Sequence, residues 1–285
     1  VRERDSSIPN AKYALLYSFE LNKRGAQVWL PFLIFEMTES LHNIKLVLTY
    51  DGSRYHGWQR QPNGITVQEV IEEKIQMMAG EAVTLIASGR TDAGVHAINQ
   101  VCNFKTRSAI DPAILKKGLN SLLPDDILVI DTEYVSLDFH ARYDAKTKTY
   151  EYRILNREEP DIFQRKYVWH IRMPLDAEEM RKCVTFLSGT HNFSCFRSSG
   201  SGNMNPVRSV INAGIYGPEN GQLRFIIEAD GFLRHMVRNI AGTLVEAGLG
   251  KINSLGFKEI IESKDRNLAG VKAPPQGLFL MKVRY

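Results

Sequence analysis

From Ile44 onward the spacing of hydrophobic and polar positions outlines a series of elements. Ile44–Tyr50 is apolar at most positions and reads as a strand covered on both faces. Thr66 precedes Val67, with Glu69 three residues on, which is a capping box. Val67, Val70, Ile71, Ile75 and Met78 then recur at helical spacing, and Gly80 marks the stop. Val83–Ala87 and Val95–Phe104 read as strands on either side of a short loop flanked by glycines. Asp111-Pro112 opens a second helix, with a proline at its first position. Its apolar face is Ile114, Leu115, Leu119, Leu122 and Leu123, and Pro124 ends it. Ile127–Val135 adds a strand, completing the order β-α-β-β-α-β, a split βαβ of the ferredoxin-like kind.

The order partly repeats. Thr147–Leu155 reads as a strand with Tyr150 and Tyr152 on one face and Glu151 and Arg153 on the other. Asp176 caps a helix, with Glu179 three residues later and Gly189 closing it. Val207–Tyr216 and Leu223–Ala229 pair across the turn 217–221. A helix from about Arg234 to Ala247, a short helix near 257–263 and a strand Leu278–Tyr285 follow. The expected fold class is α+β: two similar ferredoxin-like (RRM-like) halves, 37–145 and 146–285. Their mainly antiparallel sheets join, with a cleft between them and the crossover in 140–147. Residues 1–36 break the pattern and read as a non-native or unstructured extension, with Met37 as the natural start. Their apolar run Val28–Phe35 is interrupted by Pro31 and is far shorter than the roughly 20 residues that cross a bilayer. No membrane association is expected.

Composition narrows the class. The 285 residues are 44% hydrophobic and 24% charged, as in a globular protein with an ample core. Cys102, Cys183 and Cys195 have no CxxC spacing, which points to a reducing compartment, the cytoplasm, without disulfides or structural zinc. The net charge of +4 suits an acidic partner such as RNA. Among His96, His140, His191 and His235 no HExxH spacing occurs, so they read as structural or RNA-contacting.

The loop Gly89-Arg90-Thr91-Asp92-Ala93-Gly94-Val95-His96-Ala97 sets a guanidinium and a carboxylate two residues apart on a segment held by strands. Alone it reads equally well as an Asx-turn with an exposed arginine. It keeps company with Tyr50–Gln61, with Phe139-His140-Ala141-Arg142, with Tyr150-Glu151-Tyr152, with Phe232–Ile240 and with Gly277-Leu278-Phe279-Leu280. In order and spacing these segments resemble the TruA family of tRNA pseudouridine synthases, from about Ile44 to Tyr285. Ser53 stands where that family usually has Thr, and Asn192 where it has Asp.

The resemblance implies an isomerase that converts uridine to pseudouridine at positions 38, 39 and 40 of the tRNA anticodon stem-loop, acting as a homodimer with no metal and no cofactor. It makes Asp92 the catalytic carboxylate. Asp92 must be ionised to serve, which calls for a cation beside it, and the resemblance assigns that place to Arg238. It assigns base stacking to Tyr150, entry into the vacated stem to Arg90, and a wall of the pocket to Leu278. Tyr55, Trp58, Gln59 and Gln61 form a polar-aromatic loop suited to RNA contact, although Trp58 serves equally as an anchor to the core. Two other readings stand beside this one. A non-catalytic RNA-binding protein with two RRM-like halves would carry surface aromatics in an RNP1 pattern and would not need Asp92. A metal-dependent phosphoryl-transfer enzyme would need further acidic ligands near the loop.

Overall fold

One sheet of ten strands runs through the protein, ordered β6-β3-β5-β12-β7-β11-β10-β9, with β4 beside β5 and β8 beside β7. The computed structural model describes residues 13–21, 27–35, 40–198 and 205–285. Within 1–36, strands β1 (Tyr13–Leu21) and β2 (Gln27–Phe35) pair antiparallel as a separate two-stranded sheet. For those two segments the strands replace the unstructured alternative of the expected non-native or unstructured extension, and the non-native alternative is untouched by them. Met37 lies outside the described residues.

The first half runs β3 (His42–Tyr50), α1 (Val67–Ala79), β4 (Ile86–Ala87), β5 (His96–Thr106), α2 (Pro112–Leu122) and β6 (Ile127–Val135). Local chemistry sets its helix ends. The Thr66 side chain accepts from Glu69 N at 3.4 Å, and Gly80 leaves α1 in the left-handed region at φ +75°. Asp111 Oδ1 accepts from Ala113 N at 2.8 Å and Ile114 N at 3.2 Å. Leu115 and Leu119 of α2 are fully buried, and Leu123 lies at the edge of the core. Ile114 and Leu122 are instead exposed, because the sheet covers a narrower stripe of α2 than its apolar pattern offers. Val83–Leu85 lie outside the ladder, and β4 is two residues long.

The second half runs β7 (Thr147–Asn156), β8 (Trp169–Ile171), α3 (Ala177–Thr185), β9 (Gly189–Asn192), β10 (Val207–Glu219), β11 (Gln222–Ala229), α4 (Met236–Gly248), α5 (Ser254–Ser263) and β12 (Leu278–Arg284). Gly189 starts β9 instead of closing the helix, and α4 begins at Met236, two residues later than expected. Glu151 is buried on the face away from Tyr150, where it pairs with Arg153 Nε at 2.6 Å. Almost every residue of α4 is buried. A Cβ at Gly242 would overlap the Val271 carbonyl, so the chain over 266–277 lies directly on this helix.

The halves meet where β12 pairs antiparallel with β7 and parallel with β5, Phe279 opposite His96. This junction exists because β4 pairs β5 only at Asn103 and Cys102, leaving the first residues of β5 without that neighbour. The Asp92 loop runs directly into this start of β5, so the joint between the halves lies beside it.

Candidate active site

Backbone geometry fixes the Asp92 loop. Ser88 N donates to Val101 O at 2.8 Å, and Gln100 Nε2 donates to Gly89 O at 2.9 Å. On the other flank Trp58 N donates to Thr91 O at 3.0 Å, and the Thr91 and Tyr50 hydroxyls lie 2.8 Å apart. Val95 N closes the turn on Asp92 O at 3.1 Å, with Gly94 at φ +77°. Gly57, at φ +89°, lets the 51–61 loop approach so closely that a Cβ there would lie 2.6 Å from Thr91 O.

From the second half, α4 brings Arg238, which is 7% exposed. Its NH1 donates to Asp92 Oδ2 at 2.9 Å and its Nε donates to Ala273 O at 2.8 Å. The carbonyl thus aims the guanidinium at the carboxylate. His235, just before α4, places Nε2 at 3.5 Å from Asp92 Oδ1. Burial, together with the charges of Lys272, Arg238 and Arg234, holds the imidazole below its ordinary pKa against the pull of Asp92.

These groups line a cleft of about 1390 Å³ shared by both halves. Arg90, Asp92, Tyr150, Arg238 and Leu278 all line it, so the five expected site residues come together. Tyr150 is 7% exposed and packs edge-on against Phe232, ring centroids 5.0 Å apart. Burial, with Tyr50 and Asp92 nearby, pushes its hydroxyl well above the usual phenol range. Leu278 is buried at the start of β12, and Arg90 is exposed.

The cleft is strongly cationic. Among the described residues Arg90, Arg142, Lys148, Arg208, Arg234, Arg238 and Lys272 line it with only Asp92 and Asp230 opposing. Lys148 is pushed down to about 8, first by burial and then by Arg142 and Arg208, with Asp230 opposing. Such a cleft concentrates polyanions. Among the described residues, no three His, Cys, Asp or Glu side chains group as metal ligands would.

A family profile described as tRNA pseudouridine synthase matches residues 46–144 and 184–285. The chain belongs to this family. Among its relatives, a protein of Thermoanaerobacter sp. (strain X514) named tRNA pseudouridine synthase A is 49% identical over 245 residues, covering 86% of this chain and all of that protein. A namesake from Acetivibrio thermocellus is 46% identical over the same shares. From Clostridium perfringens, tRNA pseudouridine synthase A 2 is also 46% identical over 245 residues.

Trp58 is 1% exposed and anchors its loop, and Tyr55 is buried with its hydroxyl donating to Asp126 at 2.6 Å. His96 is structural: its Nδ1 accepts from Gly52 N at 3.0 Å and its Nε2 lies 3.0 Å from Lys166 O. Asn192 is engaged locally, accepting from Ser194 N at 3.0 Å. Sequence reasoning overlooked Lys148, although the strand period places it on the face of Tyr150, two residues on. The contact of His235 with Asp92 was also missed, and no local signal announces it.

Proposed function

We propose that this chain converts uridine to pseudouridine at positions 38, 39 and 40 in the anticodon stem-loop of tRNA, in the cytoplasm and without metal or cofactor. The observation that carries the reading is the Arg238–Asp92 pair at 2.9 Å, set beside Tyr150 in a cationic cleft. Asp92 is the catalytic carboxylate and acts at the ribose as the C1′–N1 bond breaks. The freed uracil turns over and C1′ bonds to C5. The proton on C5 is then lost while N1 gains one, so the product is an isomer of the substrate. Arg238 keeps Asp92 charged and aimed. Tyr150 offers its ring to the extruded base, Leu278 walls the pocket, and Arg90 fills the gap left in the stem and contacts phosphate.

Two ferredoxin-like halves are part of this reading. The strand orders β6-β3-β5-β4 and, once the short β8 and β9 are set aside, β12-β7-β11-β10 support it, since each then runs fourth-first-third-second along its own half with antiparallel neighbours. Residues 1–36 then stand outside both halves. A homodimer with one tRNA across both subunits completes the picture. Leu128 and Ile130, exposed on β6 beside the buried Ile127 and Val129, leave apolar surface for it.

The test is incubation with an unmodified tRNA transcript in EDTA, followed by carbodiimide mapping of pseudouridine. Product at 38–40 from the wild type, and none from Asp92→Asn at similar tRNA affinity, is expected. Turnover by Asp92→Asn would remove Asp92 from its role. Product at other positions would overturn the stem-loop assignment.

A further inference from the structure

His235 combines three features that a purely structural residue would avoid. Its backbone is left-handed, at φ +62° and ψ +6°, a region where a side chain with a Cβ is disfavoured. Its Nδ1 is buried with no hydrogen-bond partner among the described residues. Its Nε2 faces the one oxygen of Asp92 that Arg238 leaves open, since Arg238 binds Oδ2 and His235 approaches Oδ1. Glycine or asparagine would relieve the backbone, and an apolar side chain would remove the orphaned nitrogen. Strain held in place beside a reacting group is a mark of use.

We propose that His235 is a positioning residue for Asp92: a neutral imidazole whose Nε2–H is directed at Oδ1, holding the carboxylate through the oxygen that Arg238 does not bind. The tautomer follows from the surroundings. Among the described residues Nδ1 has no acceptor for a proton, whereas Nε2 has a carboxylate at 3.5 Å. Arg234, Arg238 and Lys272 around the ring oppose a second proton, and Asp92 favours one. The 3.5 Å separation is longer than a formed hydrogen bond, and such contacts tighten when substrate closes the site. With both oxygens engaged, the carboxylate cannot rotate, so its remaining lone pairs keep one direction toward the cleft. The inference rests on the assignment of Asp92 as the catalytic carboxylate.

The experiment compares His235→Gly, His235→Asn and His235→Gln in thermal unfolding, tRNA binding and single-turnover pseudouridine formation, with Asp92→Asn in parallel. Gly and Asn accept the left-handed backbone, so both variants are expected to unfold at or above the wild-type temperature. Their single-turnover rate is expected to fall about tenfold to a hundredfold, as for a misplaced reacting group, with tRNA affinity unchanged. Gln carries an N–H at about the reach of Nε2 and is expected to restore most of the rate despite the strained backbone. A stabilised Gly variant with a wild-type rate would overturn the proposal. So would a joint fall of stability, affinity and rate, which marks a structural role, or a Gln variant no better than Gly. Turnover by Asp92→Asn would instead refute the assignment of Asp92 itself, whatever the His235 variants do.

Discussion

Lys148 gives the cationic cleft a pH signature. It sits on β7 two residues before Tyr150, so the two side chains leave the same face about 6.6 Å apart, roughly one nucleotide. A Cβ at Gly89 would lie 3.8 Å from its Nζ, which places the ammonium beside the Asp92 loop. Burial and the repulsion of Arg142 and Arg208 bring its pKa from 10.5 to about 8, a displacement worth about 3 kcal/mol at 1.36 kcal/mol per unit. An RNA phosphate reverses much of that repulsion, so the bound lysine titrates higher than the free one. Affinity from this contact is therefore complete below pH 8 and declines as pH rises through that value. Lys148 is only partly buried, and salt screens what remains. Between pH 7 and pH 9 the expected fall in tRNA affinity is at most about tenfold, or about 1.4 kcal/mol. The free protein shows the opposite sign: between pH 8 and 10.5 its unfolded chain holds more protons at this site, so folding stability rises with pH there. Filter binding at fixed salt across pH 7, 8 and 9 measures the first effect. Lys148→Arg stays charged and is expected to lose the alkaline fall, whereas Lys148→Met is weak at every pH. Ionisation of the RNA bases is common to all three proteins. Equal slopes for wild type and Lys148→Arg would refute the reasoning.

Tyr150→Phe is expected to retain more activity than Tyr150→Leu, because stacking on a base is worth about 1–3 kcal/mol and needs the ring; equal rates in a single-turnover assay would exclude stacking. Arg238→Ala strands both Asp92 and the Ala273 carbonyl, so it is expected to abolish turnover and to destabilise the fold by about 2 kcal/mol or more in denaturant titration. Arg238→Lys is expected to recover little, since an ammonium does not reproduce the two-directional grip, and a defect limited to tRNA affinity would place Arg238 on the RNA surface. Gly242→Ala is expected to cost about 1–3 kcal/mol in unfolding free energy by pushing the 266–277 segment off α4, and to lower activity with it through Ala273.

Features set by near neighbours in the chain were legible in advance. Thr66, Gly80, Asp111 and Pro112 mark their helix ends because a cap is made within one turn, and β6 spans Ile127–Val135 as expected. The five site residues were reached through the motifs of a resembling family, and the cleft unites them. What escaped depends on distant parts of the fold. The outward turn of Ile114 and Leu122 reflects how much of α2 the sheet covers. The two-residue β4 leaves the start of β5 to β12, which lies far along the chain. The left-handed turn at His235 has no glycine to announce it.

The place of β12 has a consequence for how the protein is made. During synthesis the ribosome releases β5 and β7 long before Leu278–Arg284, so both strands wait with an open edge. Pairing across so long a stretch of chain is slow, and nascent molecules in that interval are prone to join their edges to one another. Asp92 belongs to the part made early, while Arg238, His235 and Leu278 belong to the part made late. A chain made only through β7 therefore carries Asp92 without Arg238 and His235 beside it. Pairing of β12 with both open edges is what joins the two parts.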